Sequence, residues 1–189
     1  MNILSRTECF KLIKTMDMMD HIIDHSVMVS NVALFLCHEL KKKSARINAE
    51  LAVSAALLHD ITKTRSFSTR ENHSETGGCL LTDMGYPEVG SIIRQHVILD
   101  SYAADSPVSE QEIVNYSDKR VLHDRVVSLN ERLGYIRVRY GKTAEFESRI
   151  RIMSQNTLDL ENKIFSLLDF SPNQLSGHII IQIKRMDYP

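Results

Sequence analysis

The chain has 189 residues, 43% of them apolar, which suits one domain with one sizeable core. Lys and Arg number 23 against 24 Asp and Glu, a net charge of -1, so no global basic field draws in nucleic acid or an anionic membrane. Apolar stretches such as 32–36 and 178–183 are far too short to span a bilayer, and the opening MNILSRTECFKLIKTMD is charged and lacks a small-residue cleavage site. A soluble, cytoplasmic protein is expected. Cys9, Cys37 and Cys79 are odd in number and widely spaced, which argues for free thiols over a disulfide framework or a structural zinc site.

Seven glycines and four prolines punctuate the chain, and apolar residues recur at three- and four-residue spacing, so the expected fold class is all-α without strands. Ser5-Arg6-Thr7-Glu8 has the capping-box form and starts a short first helix. From about Asp20 to Lys41 a long helix carries Ile22, His25, Val29, Val32 and Leu36 on one face. Asn48 caps a helix through Leu51, Ala52, Ala55, Ala56 and Leu58, whose small residues admit close neighbours just before His59 and Asp60. Residues 62–70 are polar and are assigned to a loop. Asn72 with Glu75 caps the next helix, which runs toward Gly85, and Pro87 opens one bearing Val89, Ile92, Ile93 and His96.

Ser109-Glu110-Gln111-Glu112 caps a further helix with Ile113, Val114, Asp118, Val121 and Leu122. Beyond Gly141, Phe146, Ile150, Met153, Leu160, Ile164 and Leu167 mark a long amphipathic helix. Ser171-Pro172 looks like a last helix start, while the β-branched run 179–183 suits an extended segment equally well. One domain over 1–189 is expected, with a core at about 20–125 and a helical extension at about 141–189.

His25, His59, His96 and Asp118 each fall on the apolar side of an expected helix, and Asp60 follows His59 directly. Polar groups do not settle there without partners. Each alone is most simply a hydrogen-bonded core residue. As a set, imidazoles and carboxylates drawn from several helices of a bundle supply the lone pairs and the charge neutralisation that a transition-metal site requires.

The motifs DHSVMVSNVA around His25, AALLHDITK with His59-Asp60, NHSETGG with His73, IIRQH with His96 and VNYSDKRV with Asp118 resemble the HD-domain phosphohydrolases from about Asp20 to Arg125. LLHDITK is similar to the LLHDIGK of the HDIG subgroup. The resemblance implies an HD-type helical bundle in which His25, His59, Asp60 and Asp118 are the shared metal ligands, with His73 and His96 the extra histidines of two-metal members. It implies that Asp60 bridges the two ions, and iron or manganese in preference to a lone zinc, with nickel, cobalt or magnesium as other candidates. The order His, His-Asp, His, His, Asp is also that of the di-iron diadenosine tetraphosphate hydrolases, although the segment after Asp118 departs from them by lacking their proline and arginine pattern.

The expected chemistry is hydrolysis of a phosphoester or phosphoanhydride bond of a small nucleotide by a hydroxide that the metals hold. Asp60 and Lys63 are the expected catalytic residues, and Lys63, Arg94 and Lys119 the expected substrate contacts; for Lys63 an ion pair with a ligand carboxylate is the competing role. Two alternatives stand beside this reading. In a mononuclear 5'-nucleotidase or phosphodiesterase of the same fold, His73 and His96 only shape the pocket; in a nucleotide-sensing module the ligands are kept without turnover. The sequence is silent on oligomeric state, and a homodimer is compatible with it. HIIDH at 21–25 lacks the glutamate of a metalloprotease helix, and phosphate-binding glycine loops and the GxSxG elbow are absent.

Overall fold

The computed structural model describes residues 1–186. The architecture is all-α with one small hairpin: α1 Arg6–Thr15, α2 Asp20–Lys42, α3 Ala49–Leu58, α4 Lys63–Thr69, α5 His73–Asp83, α6 Pro87–Arg94 and α7 Glu110–Lys119 precede the hairpin β1 Val121–Leu122 and β2 Arg125–Val126. Then come α8 Leu129–Tyr140, α9 Ala144–Phe165, a 3-10 turn Pro172–Gln174 and α10 Leu175–His178. Among the described residues no helix is long and apolar enough to cross a membrane.

Every residue of α3 from Leu51 to Leu58 is buried, and α1, α2, α6 and α7 pack around it. Ala52, Ala55 and Ala56 have no exposed surface, so neighbouring helices approach α3 closely and its C-terminal end delivers His59 and Asp60 into the interior. The capping boxes at Ser5 and Ser109 form as expected, and Asn48 and Asn72 accept from Leu51 N and Ser74 N. Glu75 faces Arg94 at 3.9 Å rather than turning back to the cap.

Helices α5 and α6 touch through two glycines. A Cβ on Gly90 would lie 2.5 Å from both the Gly78 carbonyl oxygen and Thr82 Oγ1, and one on Gly78 would lie 2.8 Å from the Gly90 carbonyl oxygen. Backbone therefore meets backbone where any side chain would wedge the helices apart. This contact bears on chemistry, because α5 begins with His73 and α6 leads into His96.

Three expectations need correction. The polar stretch 62–70 is not a loop: 63–69 form α4, whose Ser66, Ser68 and Thr69 hydroxyls donate to carbonyls three or four residues back. This short helix buries none of its residues, so no apolar period marks it. The helix expected to carry Val121 and Leu122 stops at Lys119, and both residues enter the hairpin, with Val121 opposite Val126. The buried Arg120 forces the stop: its backbone oxygen accepts from Val127 N at 2.8 Å and its guanidinium donates to the carbonyls of Val127 and Pro172. Two apolar residues fit either period, which is why the pattern could not separate strand from helix. Helix α8 buries only Leu129 and Leu133 and has no counterpart among the expected elements.

The C-terminal portion leans on α7 and α2. Lys163 Nζ on α9 reaches Glu112 Oε1 at 2.7 Å and also donates to Ala103 O and Ser106 Oγ at 2.9 Å. Buried Asn31 on α2 accepts from Gln182 N and Ile183 N and donates to Ile183 O, which latches the chain after α10. One hydrophobic cluster runs from Leu4 to Ile183.

Overpacking at the α5–α6 contact gives a direct check. Gly90→Ala is expected to lower stability by about 1–3 kcal/mol in urea unfolding, since both close atoms belong to ordered helix. Unchanged stability would mean that the helices are not held at this separation.

Candidate metal centre

Six expected side chains arrive from five directions. His25 lies in the second turn of α2, His59 caps the C-terminal end of α3 with Asp60 next, and His73 opens α5. His96 follows the end of α6, and Asp118 sits in the last turn of α7. The structure brings all six together. His25 Nε2 is 3.0 Å from Asp118 Oδ1, and His59 Nε2 is 3.4 Å from Asp60 Oδ2 and 3.9 Å from Asp118 Oδ1. Asp60 Oδ1 lies 3.2 Å from His73 Nε2 and 3.5 Å from His96 Nε2, and those two nitrogens are 3.2 Å apart.

The backbone sets the tautomer of three rings. Nδ1 donates to His123 O at 2.9 Å from His25, to Ala56 O at 2.8 Å from His59, and to Ile93 O at 2.7 Å from His96. A carbonyl only accepts, so each Nδ1 carries the proton and each neutral ring aims the Nε2 lone pair at the carboxylates. Acceptor then faces acceptor. His59 Nε2 and Asp60 Oδ1 are fully buried and have no hydrogen-bond partner among the described residues.

A cation resolves this. Metal bonds of about 2.0–2.2 Å set neighbouring ligand atoms roughly 2.9–3.5 Å apart, and the separations of 3.0, 3.2, 3.4 and 3.5 Å fall in that span. Two triads could each hold an ion, His25-His59-Asp60 and Asp60-His73-His96, and Asp60 belongs to both. Asp118 stands beside the first triad through its contacts to His25 and His59. The residues present fit two metal ions.

Electrostatics favour the ligating forms of His25, His96, Asp60 and Asp118. Burial pushes the His96 imidazole down to about 4, against the pull of Asp60, and pushes His25 down against Asp118. For His59 burial acts the same way, but Asp60 outweighs it and the net shift is upward. Burial opposes the Asp60 and Asp118 carboxylates, yet Lys63 and His59 hold the first, and Lys119 and His25 the second, well below the usual range.

The expected substrate residues divide. Lys63 Nζ is 2.8 Å from Asp60 Oδ2, so the ion pair forms, and its side chain still lines the cleft before the metal centre at 26% exposure. Arg94 makes a two-pronged pair with Asp100 on the surface and does not line the cleft. Lys119 does not line the cleft either. It is 2% exposed and donates to His96 O at 2.6 Å and Asp118 Oδ2 at 3.0 Å, so it braces two of the candidate ligands from behind.

Two contributors had no signal in the ligand pattern. The His123 carbonyl that orients His25 comes from the hairpin turn, where His123 takes a left-handed φ of +56°, and only its place beside a β-turn marks it. Arg132 on α8 reaches Asp118 Oδ1 at 3.3 Å and lines the cleft. The cleft measures about 250 Å³ and is bounded by His25, Asp60 and Lys63 on one side and α8 on the other.

The sequence pattern of the HD domain family matches residues 22–132, well over half of the chain. The chain belongs to the HD domain family. HD domains are generally metal-dependent phosphohydrolases of small phosphorylated molecules, and the match takes in all six clustered side chains. An uncharacterized protein of Methanocaldococcus jannaschii is 21% identical over 154 residues, covering 75% of this chain and 90% of that protein. No solved structure matches the chain.

Two outcomes check this centre. Asp60→Ala should lose both ions by elemental analysis with helical circular dichroism intact, while His73→Ala should lose one; a full metal complement in the Asp60 variant would contradict a shared ligand. In metal-free protein, the His96 ring at about 4 against an ordinary 6.5 means that the unfolded chain takes up a proton that the fold refuses. Stability should therefore fall as pH drops through that window, with His25 adding to the loss and His59 acting with opposite sign. The urea midpoint should be lower at pH 5 than at pH 7 and the difference smaller in His96→Gln; equal dependence in both would contradict the assignment.

Proposed function

We propose that this HD protein is a two-metal phosphohydrolase that cleaves a phosphoester or phosphoanhydride bond of a nucleotide. The observation that carries the reading is the pair of triads sharing Asp60, which reach a cleft lined by Lys63 and Arg132 through His25 and Asp60. In this reading His25, His59 and Asp118 hold one ion, His73 and His96 hold the other, and Asp60 serves both. Ions bound there supply an activated water at neutral pH and positive charge for the phosphoryl oxygens.

The chain's own groups do the positioning. Three backbone carbonyls fix the rings of His25, His59 and His96, which spares the site any reorganisation when a ligand enters. Lys63, at 2.8 Å from Asp60, orients that carboxylate and presents its remaining ammonium protons to the cleft, where they meet a phosphoryl or leaving-group oxygen. The Asp60 and Asp118 carboxylates hold the Lys63 ammonium in its charged form, although burial opposes it.

The likeness of LLHDITK to LLHDIGK supports placement in the HDIG subgroup, and the ligand order supports kinship with the diadenosine tetraphosphate hydrolases without fixing the tetraphosphate as substrate. Iron or manganese is the proposed metal, the cytoplasm the proposed setting, and a small phosphorylated molecule rather than nucleic acid the proposed partner. We also take 1–189 as one domain, with the core at about 20–125 and the extension at about 141–189, of which 187–189 lie outside the described residues.

Protein loaded with Mn(II) or Fe(II) should release phosphate or a nucleotide product from a panel of mono-, di- and polyphosphate nucleotides, and a chelator or Asp60→Ala should abolish that release. Retention of two ions with no hydrolysis across the panel would sink the enzymatic reading in favour of a sensing module. One ion per active chain would favour the mononuclear form.

A further inference from the structure

Helix α8 turns one stripe toward the cleft, made of Arg132, Tyr135, Arg139 and Tyr140 at helical spacing. Arg132 is nearly buried, with its side chain 12% exposed. It spends one guanidinium nitrogen on Asp118, while its Nε is buried without a hydrogen-bond partner. Arg132 lines the cleft, so a buried donor without a partner belongs to a side chain that an incoming acceptor can reach. Arg139 lies two turns on, about 10 Å along the axis. It is exposed and makes no hydrogen bond or ion pair among the described residues.

Charge in the cleft contrasts with the chain as a whole. The chain is net -1, yet Lys63, Arg132 and Arg139 line this space against one lining carboxylate, Asp60, which is itself a candidate metal ligand. The two tyrosines add planar surface: Tyr135 is 36% and Tyr140 53% exposed, and Tyr135 is flanked by the Arg132 guanidinium at 5.9 Å and the His123 ring at 5.8 Å. The cleft, open on one side and about 250 Å³ in volume, sits below the common range of small-molecule pockets, roughly 300–1,000 Å³, so a ligand seated at the metals extends outward along α8.

We propose that α8 is the substrate-reading wall. Arg132 takes non-bridging oxygens of the phosphoryl group at the metals, Arg139 takes a second phosphate farther out, and Tyr135 and Tyr140 stack on the base. The preferred ligands are therefore nucleoside di- and polyphosphates, and monophosphates bind without the outer contact. The proposal rests on the phosphohydrolase reading and adds the substrate class and the residues that select it. Two forked donors separated along a helix suit anionic groups separated along a chain, and the tyrosine faces interleaved with them suit a planar ring.

Binding to metal-loaded full-length protein tests this apart from turnover. The probes are analogues of AMP, ADP and ATP with methylene groups in place of the bridging oxygens, together with inorganic tripolyphosphate, followed by calorimetry. Arg139→Gln should weaken the di- and triphosphate analogues about tenfold, the equivalent of about 1.4 kcal/mol, and change the monophosphate analogue less than twofold. Arg132→Gln should weaken all the phosphorylated probes at least tenfold with metal content unchanged, and Arg132→Lys should recover part of that loss. The double variant Tyr135→Ala, Tyr140→Ala should weaken the adenine probes and spare tripolyphosphate.

Equal weakening of mono- and triphosphate by Arg139→Gln, or none, would overturn the outer phosphate site. Metal loss in both Arg132 variants would make Arg132 a positioning residue for Asp118 instead of a substrate contact. Wild-type protein that hydrolyses nucleotides yet prefers monophosphates would refute this inference and leave the phosphohydrolase reading standing. Metal-loaded protein that neither binds any of these probes nor hydrolyses the natural nucleotides would remove both.

Discussion

In the interior of this protein, lone pairs point at lone pairs. The imidazole Nε2 atoms of His25, His59 and His96 and the oxygens of Asp60 and Asp118 approach within 3.0–3.9 Å, while the Nδ1 atoms of these three rings are committed to backbone carbonyls. Such an arrangement is repulsive unless positive charge sits among the acceptors, and burial denies the relief that water would give. Stability, metal affinity and chemistry are all tied to how that charge is supplied.

Much of the fold serves to hold those acceptors against their mutual repulsion. The apolar helix α3, buried from Leu51 to Leu58 among α1, α2, α6 and α7, carries His59 and Asp60 inward. Paired glycines draw α5 and α6 together, so His73 and His96 meet across 3.2 Å. Behind the ligands, Lys63, Lys119 and Arg132 each touch a candidate ligand carboxylate, which keeps the two aspartates ionised before any metal arrives. Cations in that outer layer and metal in the inner one answer the same excess of negative charge at different distances.

The family match ends at Arg132, and the rest of the cleft wall on α8 lies beyond it. Division of labour follows from where the parts sit. The common chemistry resides in residues of the matched span, whereas Tyr135, Arg139 and Tyr140 stand on a helix supported from outside by α9. A wall that buries only Leu129 and Leu133 contributes little to the core, so its outward side chains are free to differ without endangering the fold.

Local physics was legible in the amino acids. Serine and asparagine caps, the spacing of apolar positions and the setting of His25, His59, His96 and Asp118 on apolar faces are properties of neighbouring residues, and most of the helices and those four side chains could be named from them, with Asp60 next to His59 and His73 added by the resemblance. Direction over long range was not legible. Arg94 and Lys119 both sit near a ligand in the chain, yet one turns outward to Asp100 and the other is buried behind His96, since the partner available in space decides where a long cationic side chain goes. The hairpin stop at Arg120 and the approach of Arg132 to Asp118 likewise depend on contacts between distant segments. What the chain determined alone was which atoms can donate electron pairs; only the packing of helices decided that those atoms would face one another, because convergence is a property of tertiary contacts and not of spacing.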